Sequence, residues 1–243
     1  MSELEGENVD NCIAAALSPP GLRAVQMIDD ALRHDAFDPQ PSDLQLMHRC
    51  IARARSSRRD GEYPFAAVVG RQGDFVCEAS NLVRRDGDVT RHAEMVALSG
   101  AQQKLGTSSL HDCTLYSTIE PCAMCSYAIR ESRIGRVIFG LQSPVMGGHS
   151  RWNILKDGTL SSVIPEVFAP PPHVVAGFLG QEVRKLCRSQ HPLAWWVIER
   201  RGIFLGQADS PVMAGARSEQ ELRWKQRFAN WTRSQILDRL WRG

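Results

Sequence analysis

Short apolar runs and longer helical patterns alternate through the middle of this chain. The apolar runs predict four strands, and the segments around them predict three helices. The strands are predicted at residues 64–70, 75–80, 113–119 and 136–140, and the helices at 92–105, at 121–132 and from Ser42 onward. Because strands and helices alternate, the pattern predicts a layered α/β domain in which most strands lie parallel.

Both ends of the chain differ from this middle part. Residues 1–41 contain proline breakers around one short helical pattern, which predicts an irregular arm. Apolar residues recur at helical spacing over 174–186 and 193–198, and a last helix is predicted at 218–240 after a linker at 206–218. The predicted domains are therefore an N-terminal arm with a short helix at 1–41, a central α/β domain at 42–158 and a helical C-terminal extension at 159–243.

Composition narrows the class of protein. Of the 243 residues, 43% are hydrophobic, which is enough for a buried core and excludes a disordered or fibrous chain. No apolar run approaches the ~20 residues of a membrane-spanning helix, and the first residues lack the features of a signal peptide. The net charge of +2 does not indicate a polyanion-binding protein. Seven cysteines, most of them isolated, predict a reducing environment and hence the cytoplasm.

Two short motifs combine the residue types that bind zinc. They are His-Ala-Glu at 92–94 and Pro-Cys-Ala-Met-Cys at 121–125. A Cys-x-x-Cys pair at the start of a helix places both sulfurs on one side of the first turn, where the helix dipole favours thiolates. His92 supplies a third donor, which leaves the fourth position of a tetrahedral ion open for water. Glu94 can take and return a proton of such a water, and the whole set matches the signature of zinc deaminases.

A structural zinc site with a fourth protein ligand is the alternative interpretation of these motifs. Cys113 or His149 could supply that ligand, although neither lies at the spacing of a paired zinc knuckle. A carboxylate two residues from a ligand is unusual in a structural site, so we expect the catalytic kind.

A resemblance to the cytidine deaminase superfamily extends over residues 43–155. It is seen in the segments PFAAVV, NLVRRDGDVTRHAEMVAL, LYSTIEPCAMC and RIGRVIFG, which are most similar to guanine and cytosine deaminases and to tRNA adenosine deaminases. The resemblance implies a three-layer α/β/α domain with a central mixed sheet, hydrolytic deamination and a homo-oligomer, most often a dimer. It implies Zn2+ as cofactor, with His92, Cys122 and Cys125 as ligands and Glu94 as proton shuttle.

The same resemblance implies two contacts to the substrate. Asn81 would hydrogen-bond the base, and Ala93 would offer its backbone N–H. Asn81 also follows a predicted strand directly, where asparagine is a common turn residue. Its role as a turn residue is therefore the alternative.

Two departures from the tRNA enzymes favour a small substrate. Tyr127 stands where those enzymes usually have a small residue, and the chain continues beyond residue 143 where they commonly end. In the loop that follows, Trp152 would stack on a base, and His149 or Asn153 would read its edge. Alternatively, this loop is a rigid turn with Trp152 packed under it.

We therefore expect a zinc-dependent hydrolase that deaminates a free nucleobase or nucleoside, with a guanine- or cytosine-like amine favoured and no membrane partner. The first alternative is a tRNA-specific adenosine deaminase, which would need an open cleft and a cationic surface. The near-neutral charge disfavours it, whereas the arginines of 53–59 and the basic, tryptophan-containing segment 217–242 favour it. The second alternative is a non-catalytic, zinc-stabilised binding module.

Overall fold

A mixed sheet of five strands organises residues 39–205, the part of the chain that this computed structural model describes. The strands are β1 (Ala66–Arg71), β2 (Asp74–Ser80), β3 (Cys113–Ile119), β4 (Arg136–Leu141) and β5 (His173–Ala176). Their order in the sheet is β2-β1-β3-β4-β5. Strand β1 is antiparallel to both of its neighbours, whereas β3, β4 and β5 run parallel.

Helices cover both faces of this sheet. They are α1 (Pro41–Ser56), α2 (Val83–Asp86), α3 (Ala93–Leu105), α4 (Ala123–Glu131), α5 (Gly158–Val163), α6 (Gly180–Gln190) and α7 (Pro192–Arg200). Side chains alternate along β1, so that Ala66 and Val68 join the core beneath α1 and α6, while Ala67 and Val69 join the core beneath α3 and α4. The predicted three-layer α/β/α fold with a central mixed sheet is confirmed.

Among the five strands of residues 39–205, only β1 runs opposite to the others, so the prediction that most strands lie parallel is confirmed. Two details of the predicted elements are wrong. Helix α1 begins at Pro41 rather than Ser42. Its N-cap is Gln40, whose backbone N–H donates to Asp43 Oδ2 at 3.1 Å in a capping box.

The second difference concerns the helix predicted at 174–186. Val174 and Val175 instead lie in β5, alongside Val137 and Ile138 of β4. The free edge of β4 accepts this β-branched pair, a choice that helical periodicity cannot reveal. The turn at Gly177, with φ of 83°, then lets α6 begin at Gly180.

A buried ion pair fastens α1 to the sheet. Asp43 is 1% exposed and accepts a hydrogen bond from the Tyr116 hydroxyl at 2.7 Å. Both terminal nitrogens of Arg136, the first residue of β4, donate to the two Asp43 oxygens at 3.0 Å. This bidentate geometry neutralises a carboxylate that has almost no contact with solvent.

Several predictions lie partly or wholly outside the described residues. They concern most of the arm at 1–41, the linker at 206–218 and the last helix at 218–240, and the division into three domains stays a prediction. All six cysteines within residues 39–205 are free thiols. None of the helices in this part of the chain has the length and apolarity that crossing a membrane requires.

Candidate active site

Two helix N-termini meet near the carboxyl end of β3. His92 is the N-cap of α3 and Cys122 is the N-cap of α4, both with extended backbone conformations. Cys125 lies in the first turn of α4. The first N–H groups of each helix have no helical partner, and the positive ends of both helix dipoles therefore point to the region of the three side chains. This environment favours anionic sulfur.

The three side chains have the geometry of a tetrahedral zinc site. His92 Nδ1 lies 3.5 Å from the sulfur of Cys122 and 3.5 Å from that of Cys125, and the two sulfurs are 3.6 Å apart. Zinc with ordinary bond lengths and tetrahedral angles requires about 3.8 Å between sulfurs and about 3.5 Å from sulfur to nitrogen. Within residues 39–205, these three are the one set of potential ligands that converges so closely. The donors therefore fit zinc.

Hydrogen bonding among the three groups prepares them for a cation. The hydrogen bond between the two sulfurs lowers the pKa of Cys122 to about 4 and raises that of Cys125. The separate hydrogen bond between His92 Nδ1 and Cys122 Sγ raises the pKa of His92. Cys122 is therefore the sulfur that ionises more readily, and a metal that binds both sulfurs displaces the proton held by Cys125.

Glu94 lies beside these ligands in the first turn of α3. Its side chain is buried, with Oε2 3.7 Å from Cys125 Sγ and Oε1 accepting from the Ser117 hydroxyl at 3.1 Å. Burial raises the pKa of the Glu94 carboxyl above its ordinary value. A raised pKa suits a carboxyl group that both accepts and donates a proton.

Asn81 lies immediately after β2 and is also buried. Its Nδ2 donates to Glu62 Oε2 at 2.8 Å, which fixes the orientation of the amide. The other Glu62 oxygen accepts from the backbone N–H groups of Arg84 and Arg85, at 2.7 and 3.0 Å. Glu62 therefore holds together Asn81 and the start of α2. Ala93 follows His92 as the first residue of α3, and its side chain is buried.

The loop after β4 is hydrogen-bonded to Glu120, which lies two residues before the ligand Cys122. The Glu120 carboxylate, 3% exposed, accepts hydrogen bonds from backbone N–H groups of this loop, including that of His149 at 3.0 Å. The His149 ring packs edge-on against Phe139 at 6.1 Å, and its Nδ1 is buried without a hydrogen-bond partner. Trp152 is 54% exposed and Asn153 is exposed. Trp152 is therefore not packed under the loop as one alternative expected.

The two candidates for a fourth protein ligand lie elsewhere. Cys113 begins β3, at the strand end opposite to the cluster, and its sulfur is 3.7 Å from Asp112 Oδ1. His149 does not join the converging set of residues 39–205 either. The fourth position of a bound ion is thus left to water or substrate within this part of the chain.

Sequence reasoning missed three residues that support the site. These are Glu62, Ser117 and Glu120, all buried polar residues. A signal existed for two of them, because Ser117 interrupts an apolar strand and Glu120 is a charged residue between that strand and Pro121. Glu62 lies in a polar turn and gives no such signal.

Comparison with known proteins places this geometry in a family. Residues 40–141 match the model of the cytidine and deoxycytidylate deaminase zinc-binding region. The chain is 39% identical over 121 residues to a tRNA-specific adenosine deaminase of Aquifex aeolicus, covering 49% of this chain and 80% of that protein. The chain therefore belongs to the cytidine and deoxycytidylate deaminase family, and it is a zinc-dependent hydrolytic deaminase.

Two further matches refine this relationship. A tRNA(Ile)-lysidine synthase of Deinococcus deserti is 35% identical over 152 residues, which are 61% of this chain but only 27% of that longer protein. A solved structure from a study of A-to-I editing by tRNA:A34 deaminases superimposes with a TM-score of 0.50 at 31% identity. That match covers 59% of this chain and 99% of the other.

Proposed function

We propose that this chain is a tRNA-specific adenosine deaminase that converts adenosine to inosine in an anticodon loop. The observation that supports this most strongly is the 39% identity to the Aquifex aeolicus tRNA-specific adenosine deaminase across 80% of that protein. This relationship favours the RNA alternative over the free guanine- or cytosine-like base that the sequence pattern favoured.

We assign the metal to His92, Cys122 and Cys125, whose donor atoms fit a tetrahedral ion. Zinc, when bound, is a Lewis acid that makes water nucleophilic near neutral pH. The role of the three residues is to hold the ion with one coordination position open. His92 and Cys122 are partly exposed, so this position can be reached from solvent.

Glu94 is the proton carrier in this proposal. In the balanced reaction, the oxygen of water bonds to the amino-bearing carbon of adenine, the C–N bond breaks and ammonia leaves. Glu94 accepts one proton from water and passes it to the ring nitrogen, then takes the second proton from the newly bonded hydroxyl oxygen and gives it to the departing amine. The raised pKa of the buried carboxyl suits both directions of transfer, and Ser117 holds the side chain in place.

The base is positioned by Asn81 and by the backbone N–H of Ala93. Because Asn81 donates one N–H to Glu62, its amide is oriented before the substrate arrives. Such preorganisation avoids ordering the side chain during binding. His149 and Asn153 remain proposed contacts to the edge of the base.

Trp152 is better suited to a nucleotide beside the target base than to covering a small molecule. Its ring is exposed, and the Arg151 guanidinium lies 5.1 Å from the ring centre. Single-stranded RNA bases stack on aromatic rings and on arginine planes. We also propose a homodimer, which the family resemblance implies and which sedimentation analysis would test.

Ammonia release from a panel of substrates tests the proposed function. The panel contains a tRNA anticodon stem-loop with adenosine at the wobble position, free adenosine, guanine and cytosine, with Glu94→Ala as the inactive control. We expect release from the stem-loop alone, together with one inosine per ammonia. Faster release from guanine or cytosine than from RNA would contradict the proposal.

A pair of tryptophans tests the contact of Trp152 with RNA. Trp196 on α7 is the matched control, because it is 57% exposed and has the Arg200 guanidinium 5.0 Å from its ring centre. Trp152→Ala should raise KM for the stem-loop about tenfold, as loss of one stacking contact does, with kcat little changed. Trp196→Ala should leave both constants unchanged. Equal effects of the two variants would contradict a specific contact.

A further inference from the structure

A buried carboxylate that is not a metal ligand accepts hydrogen bonds from several residues of one loop. Glu120 lies between β3 and Pro121, and its carboxylate accepts four hydrogen bonds. They come from the Ser143 N–H at 2.6 Å, the His149 N–H at 3.0 Å, the Ser150 N–H at 2.7 Å and the Ser150 hydroxyl at 2.7 Å. Within residues 39–205, no ion pair includes Glu120. Its negative charge is therefore stabilised by donors of the loop over 143–150 alone.

That loop in turn contacts the backbone of a metal ligand. The Gly148 N–H donates to the Pro121 carbonyl at 2.8 Å, and Gly147 forms an isolated antiparallel bridge with Cys122. Both glycines are required by close approach, since a Cβ at Gly147 would collide with the Glu120 carboxylate and one at Gly148 with Ser126. The loop is thus fitted between Glu120 and the start of α4.

The two cysteine ligands differ in what fixes them. Cys125 lies within α4 and is positioned by the hydrogen bonds of the helix. Cys122 is the N-cap, so it precedes the helical residues, and its carbonyl accepts the first hydrogen bond of the helix from the Ser126 N–H at 2.9 Å. On its other side, the Cys122 backbone is held by the bridge to Gly147.

We propose that Glu120 is a positioning residue of the metal centre, whose carboxylate presses the 143–150 loop against Cys122 and so fixes the direction of that ligand. Residues that orient metal ligands commonly change metal affinity 10–100-fold when they are replaced. The inference concerns the metal centre and holds whichever amine is deaminated, so it is independent of the proposed RNA substrate.

Zinc affinity of the full-length chain, measured by competition with a chromophoric chelator, tests this inference. Glu120→Gln and Glu120→Ala should raise the zinc dissociation constant about 10–100-fold, because an amide cannot accept from N–H groups at both of its terminal atoms. Asp43→Asn is the matched control, since Asp43 is an equally buried carboxylate next to other elements. It should leave the zinc dissociation constant within about twofold while lowering the melting temperature.

A second readout separates positioning from general destabilisation. In the Co2+-substituted protein, the visible absorption reports the geometry of the thiolate ligands, and we expect it to change in the Glu120 variants and not in Asp43→Asn. Gly147→Ala retains the carboxylate but forces the loop away from it, so it should also weaken zinc binding. This variant serves as the test if the Glu120 variants fail to fold. Unchanged zinc affinity in the folded variants, or an equal loss in Asp43→Asn, would overturn the proposal.

Discussion

Two buried carboxylates in the described part of the chain are neutralised in different ways. Asp43 is 1% exposed and is paired with the Arg136 guanidinium and the Tyr116 hydroxyl. Glu120 is 3% exposed and accepts mainly from backbone N–H groups. Asp43 joins a helix to the sheet near the start of β4, whereas Glu120 follows β3 at the end of the strand that leads to the metal ligands.

The difference follows from what each environment offers. The interiors of helices and strands have already used their backbone donors, so Asp43, which accepts one backbone N–H from Gln40 at the start of α1, also needs a side-chain cation. A loop retains unsatisfied N–H groups, and a buried carboxylate can gather several of them at once. Asp43 therefore contributes to global stability, while Glu120 shapes a segment that secondary structure leaves undetermined. The same holds for Glu62, which binds two N–H groups at the start of α2.

If the reaction takes place at the site beside α3 and α4, a substitution of Glu94 should lower activity more than any other change. Glu94→Gln should lower kcat about 10²–10⁴-fold, because the amide cannot transfer the proton, and should leave zinc bound. Parallel measurement of ammonia release and of zinc content by atomic absorption checks both parts. Loss of the metal together with activity would show that Glu94 holds the ion.

Breaking the ion pair of Asp43 should have the opposite effect: stability falls, while zinc affinity and activity stay the same. Arg136→Gln leaves a buried carboxylate without its cation and should lower the free energy of unfolding by about 3 kcal/mol, the lower part of the usual range because Arg136 is partly exposed. Urea denaturation measures this change. Below the unfolding transition, zinc affinity and kcat should match those of the wild type. A change in either would show that the ion pair of Asp43 also affects the metal site.

Lowering the pH should reduce stability by a smaller amount, through His149 in the loop that Glu120 holds. Burial, helped by Lys156, lowers the pKa of His149 to about 4 from an ordinary 6.5. As the pH falls, the unfolded chain therefore protonates His149 before the folded chain does. The contribution of His149 to stability is complete above about pH 6.5 and is lost as the pH falls towards 4.

His149→Gln removes this titration and keeps the backbone N–H that Glu120 accepts. Between pH 7 and 4.5 the melting temperature of the wild type should fall by about 2 °C more than that of the variant, since the partly exposed ring accounts for only about 1 kcal/mol. Scanning calorimetry across this range measures the difference. Parallel curves would mean that His149 titrates normally in the folded protein.

The success of sequence reasoning differed between elements for a physical reason. Helix α3 was predicted closely because its helix-forming residues and the glycine at 106, which ends it with φ of 65°, are local signals. Strand β5 was assigned to a helix because Val174 and Val175 suit either state, and the open edge of β4 decides between them. The roles expected of Trp152, His149 and Asn153 stay predictions, although their exposure and packing are now known.

The sequence by itself determined the layered α/β fold and the donor types of a zinc deaminase, because both depend on local patterns: side-chain periodicity, helix starts and the chemistry of His, Cys and Glu. Only the tertiary structure decided which groups meet across the chain. His92 and Cys122 are 30 residues apart, yet their donor atoms lie 3.5 Å from each other. Glu120 likewise meets N–H groups up to 30 residues away. Such contacts depend on how strands align and how loops return to them, and no local pattern encodes that alignment.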